Sequence, residues 1–266
     1  MNIRLTFENG NQAIKRAWLS LWRHKILSVY IVLLFLFSLL LLFYQQKIII
    51  RTHGDFGLGL AWIFEHVIRC VLYGVFFGGV TIVIAAFLKH LLVLQQQKKC
   101  SLRQSFMFGA QTKVIVLWAL IDCAWQWVIE FFAPVSRILY WGLDSAVMIA
   151  MAYVLLILVD SEQGIWFAIR RSLGFVQRSW LLLIYIGCII LGCAGIVMSA
   201  GIGLIQCIFL VEKLTFVGIE NVRIVLAAFI GSCAIVLLQG AIFMVYQALL
   251  NQERLEIMSQ IPPYDF

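Results

Sequence analysis

Charged residues are scarce in this chain, and their scarcity excludes a soluble globular fold. Only 12% of the 266 residues are charged, whereas 63% are hydrophobic and the mean hydropathy is +0.99. Soluble domains carry about 25% charged residues. We therefore predict that lipid surrounds most of the chain.

The chain also lacks the short motifs that mark common catalytic and metal sites. It contains no GxSxG, HExxH or Walker-type phosphate loop, and its seven cysteines include no CxxC pair. We interpret the cysteines as small apolar packing residues rather than as a disulfide framework. The predicted protein is therefore not an enzyme and has no catalytic residues, no cofactor and no metal site. An enzyme acting on lipid within the membrane is a distant alternative.

Long hydrophobic windows make up most of the sequence. A helix needs about 20 predominantly apolar residues to cross the hydrocarbon core, and open strands would leave backbone groups unpaired there. Six windows meet this length: 26–43, 67–92, 114–132, 138–159, 181–197 and 224–249. The predicted fold class is an all-α, polytopic membrane helix bundle with six transmembrane helices, forming a single integral membrane domain over residues 1–266.

A threefold internal repeat groups these windows into pairs. A short basic amphipathic segment precedes the first, third and fifth windows, at 13–23, 101–111 and 168–178. Aligned without gaps, the segments match basic and small residues at two positions: Lys15, Arg103 and Arg170, and then Ala17, Ser105 and Ser172. We predict three hairpins, each preceded by a cytoplasmic interfacial amphipathic helix. The repeat units are approximately 11–95, 100–160 and 161–250, and 251–266 is a short cytoplasmic tail.

The distribution of lysine and arginine predicts the orientation of the spans. Of the 20 such residues, fourteen fall on one predicted side of the membrane and six on the other. Because cytoplasmic loops are enriched in these residues, both termini are expected in the cytoplasm. The formal charge of +7 lies beside the spans rather than in a long polybasic tract. This pattern favours anionic lipid and argues against nucleic acid.

The three amphipathic segments are the first candidate functional surface. In the first segment, tryptophans share an apolar face while lysine and arginine lie elsewhere, as expected of a helix at the level of the lipid headgroups. One interpretation is that the segments only anchor and orient the bundle; another is that they form a collar that binds lipid or a membrane protein partner. The candidate contact residues are Lys15, Arg16, Trp18, Trp22, Arg103, Arg170 and Arg171. Ser101 with Gln104, and Asp160 with Gln163, are spaced as helix-capping boxes.

An intramembrane polar cluster is the second candidate site. Acidic and amide residues recur at four-residue steps in the third window, so they share one helical face. The cluster comprises Glu65, His66, Arg69, Asp122, Gln126, Glu130 and Asp144. Functionally, it would line a polar cavity for ion or proton coupling, because carboxylates within a membrane are costly and often mark pathways. Structurally, Glu65 and Arg69 would pair on one helix, and the carboxylates would be satisfied by neighbouring donors or by protonation.

Two segments carry a resemblance to a known family. They are Ile115-Val-Leu-Trp-Ala-Leu-Ile, and Leu158-Val-Asp-Ser-Glu-Gln-Gly-Ile-Trp-Phe-Ala-Ile-Arg-Arg-Ser-Leu followed by Arg178-Ser-Trp. The pattern resembles a bacterial family of uncharacterised six-span integral membrane proteins, which is itself similar to the membrane domain attached to some glycerophosphodiester phosphodiesterases. The resemblance implies a six-span fold, a location in a bacterial inner membrane and no settled activity. The phosphodiesterase activity is not carried over, because no phosphodiesterase domain is present.

The sequence supports two predictions of function. The first is a non-enzymatic membrane protein that organises or assembles with lipids or other membrane proteins through its amphipathic segments. The alternative is a small transporter or channel that uses the polar cluster. Fold class does not decide between them.

Overall fold

The structure, a computed structural model, describes residues 7–52, 60–130, 137–161, 163–212 and 216–260. Every regular element in these ranges is helical, which confirms the all-α prediction. The helices are α1 Phe7–Arg23, α2 Ser28–Thr52, α3 Leu60–Gln95, α4 Leu102–Ser105, α5 Thr112–Glu130, α6 Arg137–Ala150, α7 Val154–Asp160, α8 Ile165–Glu212 and α9 Phe216–Gln260. Short 3₁₀ turns at Lys25–Leu27 and Gly109–Gln111 lead into α2 and α5.

Several helices are long and apolar enough to cross a membrane. Within the described residues there are five such segments: Lys25–Leu42, Val75–Gln95, Leu143–Asp160, Ile165–Gln206 and Asn221–Ile257. Their length and composition are consistent with the predicted multi-pass membrane protein. The predicted third window falls mostly in α5, which is not among the five, and its last two residues lie outside the described ranges.

The two longest helices extend well past a bilayer core. Helix α8 has 48 residues and α9 has 45. At about 1.5 Å per residue each is roughly 70 Å long, whereas the hydrocarbon core is about 30 Å thick. The predicted separate amphipathic helix before the fifth window is therefore wrong: residues 168–178 form the first part of α8. No proline interrupts the chain there, so the helix continues. Likewise, residues 251–260 of the predicted tail continue α9 as helix.

The second amphipathic segment is not a continuous helix either. The predicted capping box is confirmed, because the Gln104 N–H donates to Ser101 Oγ at 3.3 Å and the Ser101 N–H donates to Gln104 Oε1 at 2.9 Å. Helix α4 nevertheless lasts only one turn. Gly109 has a φ of +59°, a left-handed conformation that an α-helix cannot include. The predicted helix over 101–111 is therefore replaced by two short turns.

The predicted fourth window, 138–159, is interrupted between α6 and α7. The Val154 N–H donates to the Met151 carbonyl at 3.0 Å, three residues back rather than four. The Ala150 carbonyl accepts instead from the Ser172 hydroxyl of α8, also at 3.0 Å. Asp160 ends α7 and accepts a hydrogen bond from Tyr246, so the predicted capping role of Asp160 is wrong.

Helix α1 lies along α9 and also touches α8. Its inner face consists of small residues at helical spacing, Gly10, Ala13 and Ala17, all of which are buried. A Cβ added to Gly240 of α9 would lie 3.2 Å from the Ala17 Cβ. Because these residues are small, the two backbones approach closely. The basic and aromatic residues of α1 consequently face outwards.

The most completely buried side chains cluster at one end of the bundle. We call it the basic end, and it carries Arg16, Lys89, Arg103, Arg170 and Arg178. There the Phe175 ring packs edge-on against Tyr153 and Tyr246, with centroids 5.8 and 5.6 Å apart. The apolar part of α8 is far more open, and Ile196 is 71% exposed. Such exposure suits a surface solvated by lipid.

Candidate functional site

A cleft at the basic end lies between α1, α8 and α9. Its volume is about 250 Å³. We call it the α1 cleft. Its lining residues come from α1, α8 and α9: Asn9, Gln12, Ala13, Arg16, Leu182, Met244, Val245, Ala248, Asn251, Gln252 and Leu255. Arg16 is the predicted contact residue that lines it.

The lining of the α1 cleft is divided between apolar and polar residues. Leu182, Met244 and Val245 form an apolar part, within the hydrophobic stretches of α8 and α9. The polar part includes Asn251 and Gln252, which follow directly where the hydrophobic stretch of α9 ends. The cleft therefore spans the level at which the helices change from apolar to polar, which is the level of lipid headgroups in a bilayer.

Two sets of contacts hold α1 against this cleft. The Tyr185 hydroxyl of α8 donates to Asn11 Oδ1 at 3.0 Å. A Cβ added to Gly10 would lie 2.8 Å from the Tyr185 ring and 2.9 Å from Leu182, so only glycine allows the observed approach. At the other end of α1, Ala17 packs against Gly240. The contacts at Gly10 and Asn11, and the contact at Ala17, thus determine where α1 lies and how wide the cleft is.

The exposed face of α1 presents basic and aromatic side chains together. Lys15 and Arg16 are exposed, and Trp18 and Trp22 are 50% and 69% exposed. The two indole rings form an edge-to-face pair with centroids 5.9 Å apart. Indole and basic side chains side by side are typical of surfaces that contact lipid headgroups.

Arg170 and Arg171 are neighbours in α8 but have different surroundings. Arg171 forms an ion pair with Glu253 of α9 at 3.1 Å and lies over the Phe175 ring at 5.4 Å. Arg178 approaches the same carboxylate at 3.6 Å. Arg170 is exposed and forms no ion pair with any described residue, as is true of Arg103. Arg171 therefore joins α8 to α9, whereas Arg170 and Arg103 remain available to solvent or lipid.

The intramembrane polar cluster is described only in part. The Thr81 hydroxyl of α3 donates to Asp122 Oδ2 of α5 at 3.4 Å, and Asp144 of α6 acts electrostatically on Asp122. Asp122 is half-buried. A polar contact thus joins α3 and α5. The side chains of the other predicted members lie outside the described part of the structure: Glu65, His66, Arg69, Gln126 and Glu130.

Sequence reasoning missed a buried hydrogen-bond network. His90 and Ser105 are 1% and 0% exposed, and the Ser105 hydroxyl lies 2.9 Å from His90 Nδ1. The Tyr30 hydroxyl lies 3.2 Å from the same nitrogen. The network joins α2, α3 and α4 at the basic end. A Ser–His pair can act in catalysis, but this one is enclosed by protein, and its geometry is that of a structural link.

The threefold repeat in the sequence contained one indication of this network, its aligned small residues. The small residues matched in the repeat, Ala17, Ser105 and Ser172, are 2%, 0% and 0% exposed. The matched basic residues, Lys15, Arg103 and Arg170, are all exposed. The three segments thus bury equivalent positions, although only the first forms a separate long helix.

A second set of hydrogen bonds, in which Tyr153, Ser179 and Tyr246 are buried and Asp160 is exposed, links α7, α8 and α9. The Ser179 hydroxyl donates to the Phe175 carbonyl at 2.8 Å, so the Tyr153 hydroxyl, 2.8 Å from Ser179 Oγ, is the donor in that pair. The Tyr246 hydroxyl donates to Asp160 Oδ2 at 2.8 Å. Together these bonds join α7, α8 and α9 at the basic end.

The helices and their apolar surfaces define an α-helical, multi-pass membrane protein. Within the described residues, no group of three or more His, Cys, Asp or Glu side chains is arranged to hold a metal ion. Protein-family models, curated proteins and solved structures include no match to this chain.

Proposed function

We propose that this chain is a non-enzymatic integral membrane protein that organises or assembles with lipids or other membrane proteins through its basic end. In this proposal it has six spans in three hairpins, lies in a bacterial inner membrane and keeps both termini in the cytoplasm. The charge asymmetry of the sequence supports that orientation.

The observation that supports this function most directly is the outward face of α1. Small residues bind α1 to α9 and α8, and this packing directs Lys15, Arg16, Trp18 and Trp22 away from the bundle. Arg103 and Arg170 add exposed cations from the other two segments. A rigid array of cations and indoles at the end of a membrane bundle fits anionic headgroups, or a partner that carries acidic groups.

Co-purification in lipid discs tests the proposal. The test variant replaces one matched cation in each segment, Lys15, Arg103 and Arg170, with glutamine. The matched control replaces three other exposed lysines of the same region, Lys98, Lys99 and Lys113, and so removes the same charge outside the three segments. Native mass spectrometry of protein released from its own membrane then reports bound lipids and proteins.

We expect the segment variant to lose a retained anionic lipid or protein partner that the control keeps. Equal losses in both variants would mean that overall charge, and not the three segments, attracts the ligand. An unchanged set of ligands in the segment variant would likewise contradict the proposal.

The second candidate function is a small transporter or channel, and the interhelical contact at Asp122 favours it. A carboxylate that meets Thr81 from a neighbouring helix places a proton- or cation-binding group inside the bundle. Asp122→Asn keeps the size of the side chain and removes its charge. Loss of a bound small molecule in this variant, with unchanged folding and unchanged lipid retention, would replace the scaffold proposal with this one.

A further inference from the structure

We infer that the α1 cleft binds the phosphodiester headgroup of one anionic phospholipid, with the Arg16 guanidinium as the phosphate ligand. The inference rests on the proposed function and deepens it, because it assigns a specific lipid site to the basic end. It differs from general attraction to anionic headgroups in requiring one cleft, one arginine and one lipid.

The charge of the lining favours an anion. Arg16 is the cation among the residues that line the cleft, and those described lining residues include no carboxylate. A guanidinium presents paired N–H donors that match two phosphate oxygens. No described residue forms an ion pair with Arg16, so its donors are not consumed within the described part of the chain.

Amide side chains complete the polar part of the cleft. Asn9 and Gln12 come from α1, whereas Asn251 and Gln252 come from α9. Amides offer both donors and acceptors, as hydroxyl groups of a glycerol-type headgroup require. Gln252 Nε2 already donates to Glu256 Oε1 at 3.0 Å, which leaves its carbonyl oxygen as an acceptor.

The size of the cleft fits a headgroup rather than a whole lipid. Its volume of about 250 Å³ lies below the roughly 300–1,000 Å³ typical of pockets that enclose a complete small-molecule ligand. The acyl chains would lie outside, against the apolar surface of the bundle. Leu182, Met244 and Val245 lead from the cleft towards that surface.

The position of the cleft also matches a lipid anchored at the membrane boundary. Its apolar lining belongs to the stretches that begin at Leu181 and end at Leu250, and its polar lining follows at Asn251. A phospholipid changes from apolar to polar over the same level of the bilayer. A soluble anion would gain nothing from the apolar half of this lining.

The test uses the full-length protein in discs of phosphatidylcholine that contain a minor fraction of phosphatidylglycerol. Arg16→Gln removes the phosphate ligand. Ala248→Trp fills the cleft from an exposed position of α9, so it leaves the buried packing intact. Arg254→Gln is the matched control, because it removes an exposed arginine of α9 that does not line the cleft and lies outside the three segments. Native mass spectrometry counts the phosphatidylglycerol molecules that remain bound.

We expect Arg16→Gln and Ala248→Trp each to lose one bound phosphatidylglycerol, or to retain it at least tenfold more weakly, while Arg254→Gln keeps it. Retention in the Ala248→Trp variant would overturn the inference, because the cleft would then be dispensable. Displacement of the lipid by inorganic phosphate alone would also overturn it, since the apolar lining would then contribute nothing.

The outcomes separate this inference from the proposed function. If the cleft variants keep their lipid while the Lys15, Arg103 and Arg170 variant loses its ligands, the scaffold proposal stands and the cleft assignment fails. If the cleft variants lose one lipid while the segment variant keeps its ligands, the cleft is a lipid site and the wider collar is wrong.

Discussion

The close contact between α1 and α9 provides the sharpest test of the described packing. Gly240→Leu places a large side chain where even a Cβ would lie 3.2 Å from the Ala17 Cβ and 3.8 Å from Phe87 Cζ. Ala17 cannot yield without moving the backbone of α1. We therefore expect the variant to push α1 away from α9 and to disturb the α1 cleft beside it.

The expected change in the free energy of unfolding of Gly240→Leu follows from two opposing effects. Overpacking of a well-packed contact costs about 1–3 kcal/mol, whereas replacing a helical glycine recovers up to about 1 kcal/mol of backbone stability. Gly231 lies on the same helix, and a Cβ there would meet nothing within 4 Å. Gly231→Leu thus gains the second effect without the first. Because the gain from replacing glycine is common to both variants, they should differ by the overpacking cost alone, about 1–3 kcal/mol.

Thermal unfolding of the detergent-solubilised protein measures this difference directly. Limited proteolysis provides the second readout, because a displaced α1 exposes its Lys15–Arg16 peptide bond. We expect a lower unfolding temperature and faster cleavage in α1 for Gly240→Leu than for Gly231→Leu. Equal unfolding temperatures and equal cleavage in the two variants would refute the packing of Ala17 against Gly240.

Two further variants test the polar links at the basic end by the same unfolding assay. Arg171→Gln breaks the partly exposed ion pair with Glu253 and should lower stability by about 0.5–1 kcal/mol. Arg170→Gln, the control, should change stability by less than about 0.5 kcal/mol. Equal effects would contradict the different surroundings of the two arginines. Tyr246→Phe removes the donor to the Asp160 carboxylate and should cost about 0.5–1.5 kcal/mol, because the exposed carboxylate keeps its hydrogen bonds to water. Asp160→Asn keeps an acceptor and should cost less, so the reverse order would contradict the assigned direction of this bond.

Local chemistry made part of the fold predictable. The all-α membrane class follows from composition, because a chain that is 63% hydrophobic can satisfy its backbone in lipid only within helices or a closed barrel. The capping box of Ser101 and Gln104 was also predictable, since both partners lie within one helical turn. The six-span count, the hairpins and the orientation remain predictions.

Helix boundaries depended on distant contacts and were predicted less well. The break after Ala150 exposes a carbonyl that only Ser172, 22 residues later, satisfies. The continuity of α8 through its basic segment is supported by the ion pair of Arg171 with Glu253, 82 residues away. Hydrophobic windows contain no information about such distant partners. The prediction based on them therefore separated the first part of α8 from the rest and joined α6 to α7 in one span.

The candidate functional residues also fall into two groups, those that the local sequence predicts and those that only the tertiary structure brings together. Residue type and spacing were enough to select Arg16, Trp18 and Trp22 as an exposed surface, because amphipathicity is a local periodic property. The α1 cleft was beyond such reasoning, since Arg16, Leu182 and Met244 are far apart in the chain. The packing of small residues of α1 against Gly240 and Tyr185 places α1 beside α8 and α9, and that packing depends on shape in three dimensions.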